Sequence, residues 1–145
     1  MLLNGEDVSD RIRTEEVSAR ASVTAAIPCV REKLLDLQRN LAKEQDVLMD
    51  GRDIGTNILP DAQLKIYLTA SVGERARRRY LELREKGEDC SLSAIEAEIR
   101  ERDERDMNRE TAPLRRAEDA VYLDTSDMDQ EQVIAEIVRL AKERI

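Results

Sequence analysis

Two segments carry the residue types that could do chemistry. Val47-Leu48-Met49-Asp50-Gly51-Arg52-Asp53-Ile54-Gly55-Thr56 is a short apolar run that ends in an acid, a glycine turn, an arginine and a second acid. Arg100-Glu101-Arg102-Asp103-Glu104-Arg105-Asp106-Met107-Asn108-Arg109 packs four arginines into ten residues, interleaved with carboxylates. Ligands of open α/β sheets bind just beyond the carboxyl ends of the strands. Acids placed there can hold a metal or a hydroxyl, and guanidinium forks match phosphate oxygens two at a time. This is the equipment of phosphoryl transfer, with one part missing. No G-x-x-x-x-G-K-[ST] loop occurs in the 145 residues, and none of the five glycines sits in a comparable loop.

Each feature has a plainer explanation to beat. Asp50-Gly51 alone is ordinary turn chemistry. Arg52 and Asp53 argue for more, because three charged groups at one strand end need partners or a ligand. The arginine run could be a solvated helix laced by pairs such as Glu98 with Arg102 and Glu101 with Arg105. Such pairs are each worth only a few tenths of a kcal/mol, which makes stability a weak reason for the pattern. Arg102, Asp106 and Arg109 fall at i, i+4 and i+7, on one helix face. An acid flanked by two arginines suits a ribose hydroxyl beside a phosphate. In the cluster Arg75, Arg77, Arg78 and Arg79, a charged surface and a donor-phosphate clamp are equally good readings.

Composition narrows the choices. The length suits one domain with a single core. With 2% aromatic residues and no Phe or Trp, the core must rest on Leu, Ile, Val, Ala and Met. Base-stacking platforms need aromatic faces, and a net charge of −8 lacks the basic surface of a nucleic-acid binder. A local basic pocket remains open to a small anionic ligand. The chain has no histidine, which removes imidazole catalysis and imidazole metal ligands. Cys29 and Cys90 form no metal or redox motif and read as incidental reduced thiols. The polar opening Met1-Leu2-Leu3-Asn4-Gly5-Glu6-Asp7 shows no leader pattern, and no apolar run reaches membrane-spanning length. A soluble cytoplasmic protein is expected.

The elements that must position these residues alternate between strand and helix. Asn4-Gly5 marks a hairpin turn in a peripheral β-type element. From Ser18 to about Lys43 the pattern is helical: Val30, Leu34, Leu37 and Leu41 recur at spacings of four, three and four. Pro28 breaks this stretch or sits in the first turn of a second helix. Residues 46–50 read as a strand and residues 64–69 as another. Ser71-x-x-Glu74 has capping-box spacing and opens a helix stopped by Gly87. Ser91 opens the next helix, with Ile95 and Ile99 as a thin apolar stripe, and Thr111-Ala112-Pro113 ends it. A third strand spans 120–124. Ser126 then caps a last helix, about 129–144, burying Val133, Ile134, Ile137, Val138 and Ala141. Short apolar strands alternating with amphipathic helices predict an α/β fold, a parallel sheet with flanking helices.

The order Leu3-Asn4-Gly5-Glu6-Asp7-Val8, Arg13-Thr14-x-Glu16-Val17-Ser18, Asp50-Gly51-Arg52-Asp53-Ile54-Gly55-Thr56, Glu101-Arg102-Asp103-Glu104-Arg105-Asp106-x-Asn108-Arg109 and Ala112-Pro113-Leu114 resembles bacterial cytidylate kinase. The likeness runs from end to end of the chain. It implies a P-loop NTPase fold of the nucleoside monophosphate kinase type, transferring the γ-phosphoryl group of ATP to CMP or dCMP with Mg²⁺. By that resemblance Ser22, Arg31 and Asp53 read the cytosine and its sugar side. Arg102 and Asp106 hold the ribose, Arg52 and Arg109 the acceptor phosphate, and Asp50 holds Mg²⁺ directly or through water. Arg75 and Arg78 belong to a mobile lid over the donor, at about 75–114. Residues 1–43 correspond to the monophosphate-binding insertion and 44–145 to the remaining core. Asp50, Arg52 and Arg109 are then the catalytic set.

Two local departures stand out: Ala19-Arg20 after Ser18, and Arg115-Arg116 after Leu114, where the family is less charged. The larger one is the family's opening strand, glycine-rich loop and helix. Three origins suit a chain without them: a kinase with a late gene start or a fragment of one, a non-enzymatic remnant that binds a pyrimidine monophosphate or a partner protein, or a kinase whose loop comes from a second polypeptide. The first is preferred, with a monomer expected for the complete protein. The absent strand would lie between those at 46–50 and 64–69. Without it the chain must leave a gap, pair those strands directly or borrow a strand, and an exposed edge invites self-association.

Overall fold

A computed structural model describes residues 1–12, 14–25 and 27–144, in two compact units, Met1–Leu48 and Met49–Ile145. In the first unit, β1 (Leu2–Leu3) and β2 (Glu6–Asp7) pair antiparallel, Leu2 opposite Asp7 and Leu3 opposite Glu6. Asn4 at φ 53° and Gly5 at φ 88° make the connection, the two left-handed positions that a tight hairpin requires. α1 (Glu15–Ala25) and α2 (Pro28–Glu44) follow, with Pro28 in the first turn of α2, where its missing N–H costs nothing. The side chains of Glu15, Ser18, Ala19 and Ser22 lie outside the described residues. Within α2 the predicted stripe is present but uncovered, with Leu37 64% exposed and no buried residue.

The second unit is built on a parallel pair. β3 (Ile66–Thr69) and β4 (Val121–Asp124) run in register from Ile66 opposite Val121 to Thr69 opposite Asp124. Between them α3 (Val72–Glu85) and α4 (Leu92–Asn108) pack on each other through Ala76, Leu83 and Ile95, with Tyr80, Cys90 and Ile99 around them. Ser71 caps α3 by accepting the Glu74 N–H at 3.2 Å. The box is half-built: the Ser71 N–H goes to Ser126 Oγ at 2.8 Å instead of to Glu74. Gly87, at φ 78°, ends α3. Its N–H reaches the Arg84 carbonyl and that of Glu88 reaches Leu83, the double closure that a left-handed glycine permits.

Three expectations need correction. Residues 46–50 form no strand, and Leu48 is 96% exposed. A strand exists only as part of a ladder, and β3 spends its ladder bonds on β4. Ile66–Thr69 and Met49–Arg52 together line a cleft of about 410 Å³. Ser126 does not cap the last helix, α5 (Gln130–Arg144). Asp129 does, accepting the Gln132 N–H at 2.8 Å while Gln132 Oε1 accepts the Asp129 N–H at 2.9 Å. Ser126 Oγ instead donates to Asp124 at 2.6 Å. On α5, Ile134 and Val138 are 53% and 45% exposed and Leu140 is the buried residue, since two strands cannot cover so wide a stripe.

Replacing Asp129 by alanine removes one arm of this reciprocal cap and leaves orphan N–H groups at the start of α5. The expected loss is about 1 kcal/mol of unfolding free energy by urea titration. A Ser126→Ala change, tested beside it, is not expected to reproduce that loss through α5.

Candidate functional site

The site grows from the irregular turn after Met49 and from one face of α4. Arg52 Nε donates to Asp106 Oδ2 at 2.8 Å, across 54 positions of sequence. Asp106 is the better buried partner, with its side chain 13% exposed against 38% for Arg52. Arg102, one turn earlier on α4, stands 4.0 Å from the same oxygen. The Asp106 carbonyl accepts the Leu114 N–H at 2.8 Å, which folds residues 109–114 back along the helix end. Arg102 and Asp106 thus share a face of α4, as the sequence suggested, and Arg52 joins them from outside. Arg109 lies just past the helix end in extended backbone and leaves that face.

Asp53 is buried at 7% exposure, at the start of a π-helical turn, Ile54–Ile58. Wide i→i−5 turns of this kind recur at functional sites. Its carbonyl receives the Asn57 and Ile58 N–H groups, and its Oδ2 accepts Asn57 Nδ2 at 3.1 Å. Oδ1 lies 3.7 Å from Arg109 Nη2, an ion pair too long for a hydrogen bond. Arg109 is fixed from its other end, where Nε donates to the Ala112 carbonyl at 2.7 Å. Its Nη2 is buried and has no hydrogen-bond partner among the described residues. A buried donor in that state calls for a physical explanation.

Arg75 and Arg78 project from α3 toward different partners. Arg75 Nη1 and Nη2 donate to the two oxygens of Asp103 at 3.0 and 2.7 Å, and its Nε donates to the Ala70 carbonyl at 3.0 Å. Arg75 and Asp103 line the same cleft as Asp50, Arg52 and Thr69. Arg78 is bound into the turn after β4, donating to the carbonyls of Thr125 and Met128 at 2.5 and 3.1 Å and to Thr125 Oγ1 at 3.3 Å. Thr125 is itself buried and donates both its N–H and its Oγ1 to the Thr69 carbonyl. Arg78 therefore ties α3 to the ends of both strands. Its Nε and the Arg77 guanidinium share Glu74, and their hydrogen bonds hold that carboxyl down at about 2.

The remaining expected residues divide. Asp50 is exposed at the rim of the cleft, with no hydrogen bond or ion pair among the described residues. No group of three or more metal-binding side chains occurs among the described residues. A lone free carboxylate still fits Mg²⁺, which takes one or two acids and completes its shell with water and substrate phosphate. Arg31 lies on α2 in the first unit, and the Ser22 side chain lies outside the described residues. Asp103, Asn57 and Ala112 went unnoticed as site residues in the sequence. For Asp103 the signal was present: it lies three positions before Asp106, on the same face of α4.

Comparison with known proteins agrees with the motifs. The family model described as cytidylate kinase matches residues 1–143. A protein named cytidylate kinase from Pseudomonas aeruginosa (strain LESB58) is 54% identical over 139 residues, which are 96% of this chain and 61% of that protein. One of the same name from Pseudomonas entomophila (strain L48) is 55% identical over 137 residues, 94% of this chain and 60% of its own length. Another from Caldicellulosiruptor saccharolyticus is 51% identical over 140 residues, 97% of this chain and 62% of its own. The chain thus spans about three-fifths of the length of the curated relatives it matches.

The depressed Glu74 carboxyl has a pH signature. Its folded pKa, about 2, lies below the ordinary glutamate value of 4.5, so its pairing stabilises the fold above that value and is lost as pH falls toward 2. Between those limits the unfolding free energy of Glu74→Gln should fall less steeply with acidification than that of the unaltered protein, by parallel urea titrations. Equal slopes would contradict the pairing.

Proposed function

Since the chain belongs to the cytidylate kinase family, we propose that its second unit carries the acceptor side of a CMP or dCMP phosphorylation site, with ATP as donor. The observation that supports this most directly is the buried Arg109 Nη2, which stands beside Asp53 with no hydrogen-bond partner among the described residues. A phosphate oxygen of the monophosphate would supply the acceptor that this donor lacks. Arg52 would share the same phosphate, and Arg102 with Asp106 would face the ribose. Asp53 would read the cytosine, its carboxylate accepting from the exocyclic amine.

Chemistry at such a site needs no protein nucleophile. A phosphate oxygen of CMP attacks the γ-phosphorus of ATP, the bond to the β-phosphate oxygen breaks, and CDP and ADP result. What the residues supply is position and charge: Arg52 and Arg109 hold the attacking phosphate and offset its repulsion from the donor. Asp50 would hold Mg²⁺, which neutralises the donor phosphates when bound. Arg75 is better placed than Arg78 to meet those phosphates. Three of its five N–H donors are taken, against four hydrogen bonds to α3 and the β4 turn for Arg78. No helix among the described residues is long and apolar enough to cross a membrane, and a cytoplasmic location fits a pool of free nucleotides.

Two outcomes are expected of the 145-residue chain. It binds CMP, and Arg109→Lys weakens that binding at least tenfold by calorimetry, the usual scale for a lost charged hydrogen bond. In Mg²⁺ and ATP it forms negligible CDP, because no glycine-rich loop in these residues cradles the triphosphate. An unchanged affinity in Arg109→Lys would remove the proposed phosphate contact, and turnover at an ordinary kinase rate would show a substitute donor site.

A further inference from the structure

Ala112 is built against its own preference. Its φ is 49°, in the left-handed region, where a Cβ crowds the following carbonyl. The next residue is Pro113, whose ring normally drives its predecessor into extended conformations at negative φ. Asn4 is the other non-glycine residue at positive φ among the described residues, and it sits in a hairpin turn where asparagine is at ease. Nothing comparable relieves Ala112. The conformation has one visible product: the Ala112 carbonyl points at Arg109 Nε, 2.7 Å away. The loop is held at its far end by the Leu114 N–H on the Asp106 carbonyl. With Nε taken, the guanidinium plane is set, and Nη2 is left buried without a hydrogen-bond partner among the described residues, 3.7 Å from Asp53. Backbone strain and a desolvated donor thus fall on two residues in direct contact. Such costs persist where the surrounding structure imposes them, and they collect at functional sites.

We propose that Ala112 is a positioning residue: its strained backbone carbonyl fixes the Arg109 guanidinium in the orientation that presents Nη2 to an anionic oxygen of the ligand. The inference rests on the proposed acceptor role of Arg109 and adds the device that aims it. Glycine at 112 adopts the same φ without a Cβ penalty, so Ala112→Gly keeps the carbonyl in place. Valine does not tolerate that φ, so Ala112→Val rotates the carbonyl away and frees Nε.

The test has two readouts. Nitrogen-15 NMR of the unliganded chain follows the Arg109 Nε–H signal. It should exchange slowly with solvent in the unaltered protein and in Ala112→Gly, and rapidly in Ala112→Val. Calorimetry with CMP should give affinities within about twofold for the unaltered protein and Ala112→Gly, and at least a tenfold loss for Ala112→Val, the scale of one charged hydrogen bond. Rapid Nε–H exchange in the unaltered protein would overturn the proposal, and that reading stands even where Ala112→Val does not fold. So would a folded Ala112→Val with unchanged CMP affinity. Slow exchange with no CMP binding in any variant would instead uphold the positioning contact and refute the acceptor role of Arg109.

Discussion

The hydrogen bond between Arg52 and Asp106 is the contact on which the rest of the site depends. It joins a turn with no ladder to hold it to the longest helix of the second unit, across 54 residues of chain. Many ion pairs here are worth little: Arg139 with Glu136 and Glu143, or Lys86 with Glu82, are solvent-screened pairs of residues three or four apart along one helix. Asp106 differs because its side chain is 13% exposed. Deprived of Arg52, it would be a mostly buried carboxylate short of its nearest hydrogen-bond donor, at a cost of about 1–3 kcal/mol. One turn of α4 then serves three neighbours: Asp103 reaches Arg75 on α3, the Asp106 side chain reaches Arg52, and its carbonyl reaches Leu114.

An acidic chain with a net charge of −8 can still offer fixed positive groups, because three of the arginines at the site stand beside an aspartate. Arg52 is held by Asp106, Arg75 by Asp103, and Arg109 stands by Asp53. A paired guanidinium keeps donors to spare and gives up its rotamer freedom before any ligand arrives, so less is lost on binding. This arrangement explains why aspartates and arginines alternate so densely along α4, where surface stability alone gives them little reason to.

What the sequence disclosed, and what it withheld, follows from the range of the forces involved. Turn and cap signals act over a few residues, so Asn4-Gly5, Pro28, Ser71 and Gly87 were legible and fall where expected. The shared face of Arg102 and Asp106 was legible for the same reason. Residues 46–50 were misread because apolar content makes a segment fit for a strand but cannot supply its ladder partner. Asp129 was passed over for Ser126 although Asp129-x-x-Gln132 is itself a reciprocal capping pattern. The Arg78 anchor on Thr125 and Met128 and the strained carbonyl of Ala112 depend on chain segments meeting in space, which no local spacing reveals. The family resemblance named a set of candidate site residues. It gave no indication that Asp106 would bond Arg52, or that Arg78 would tie α3 to the strand ends.

The central claim is that Asp106, by holding Arg52, assembles a nucleotide acceptor site in this chain. Calorimetric titration of CMP into the protein and into Asp106→Asn, both first shown to be folded, tests it most directly. Saturable CMP binding to the unaltered chain is expected, with an affinity at least tenfold weaker in Asp106→Asn, whose amide cannot hold the guanidinium as a carboxylate does. Equal affinities in the two proteins, or no binding to a folded unaltered chain, would contradict it.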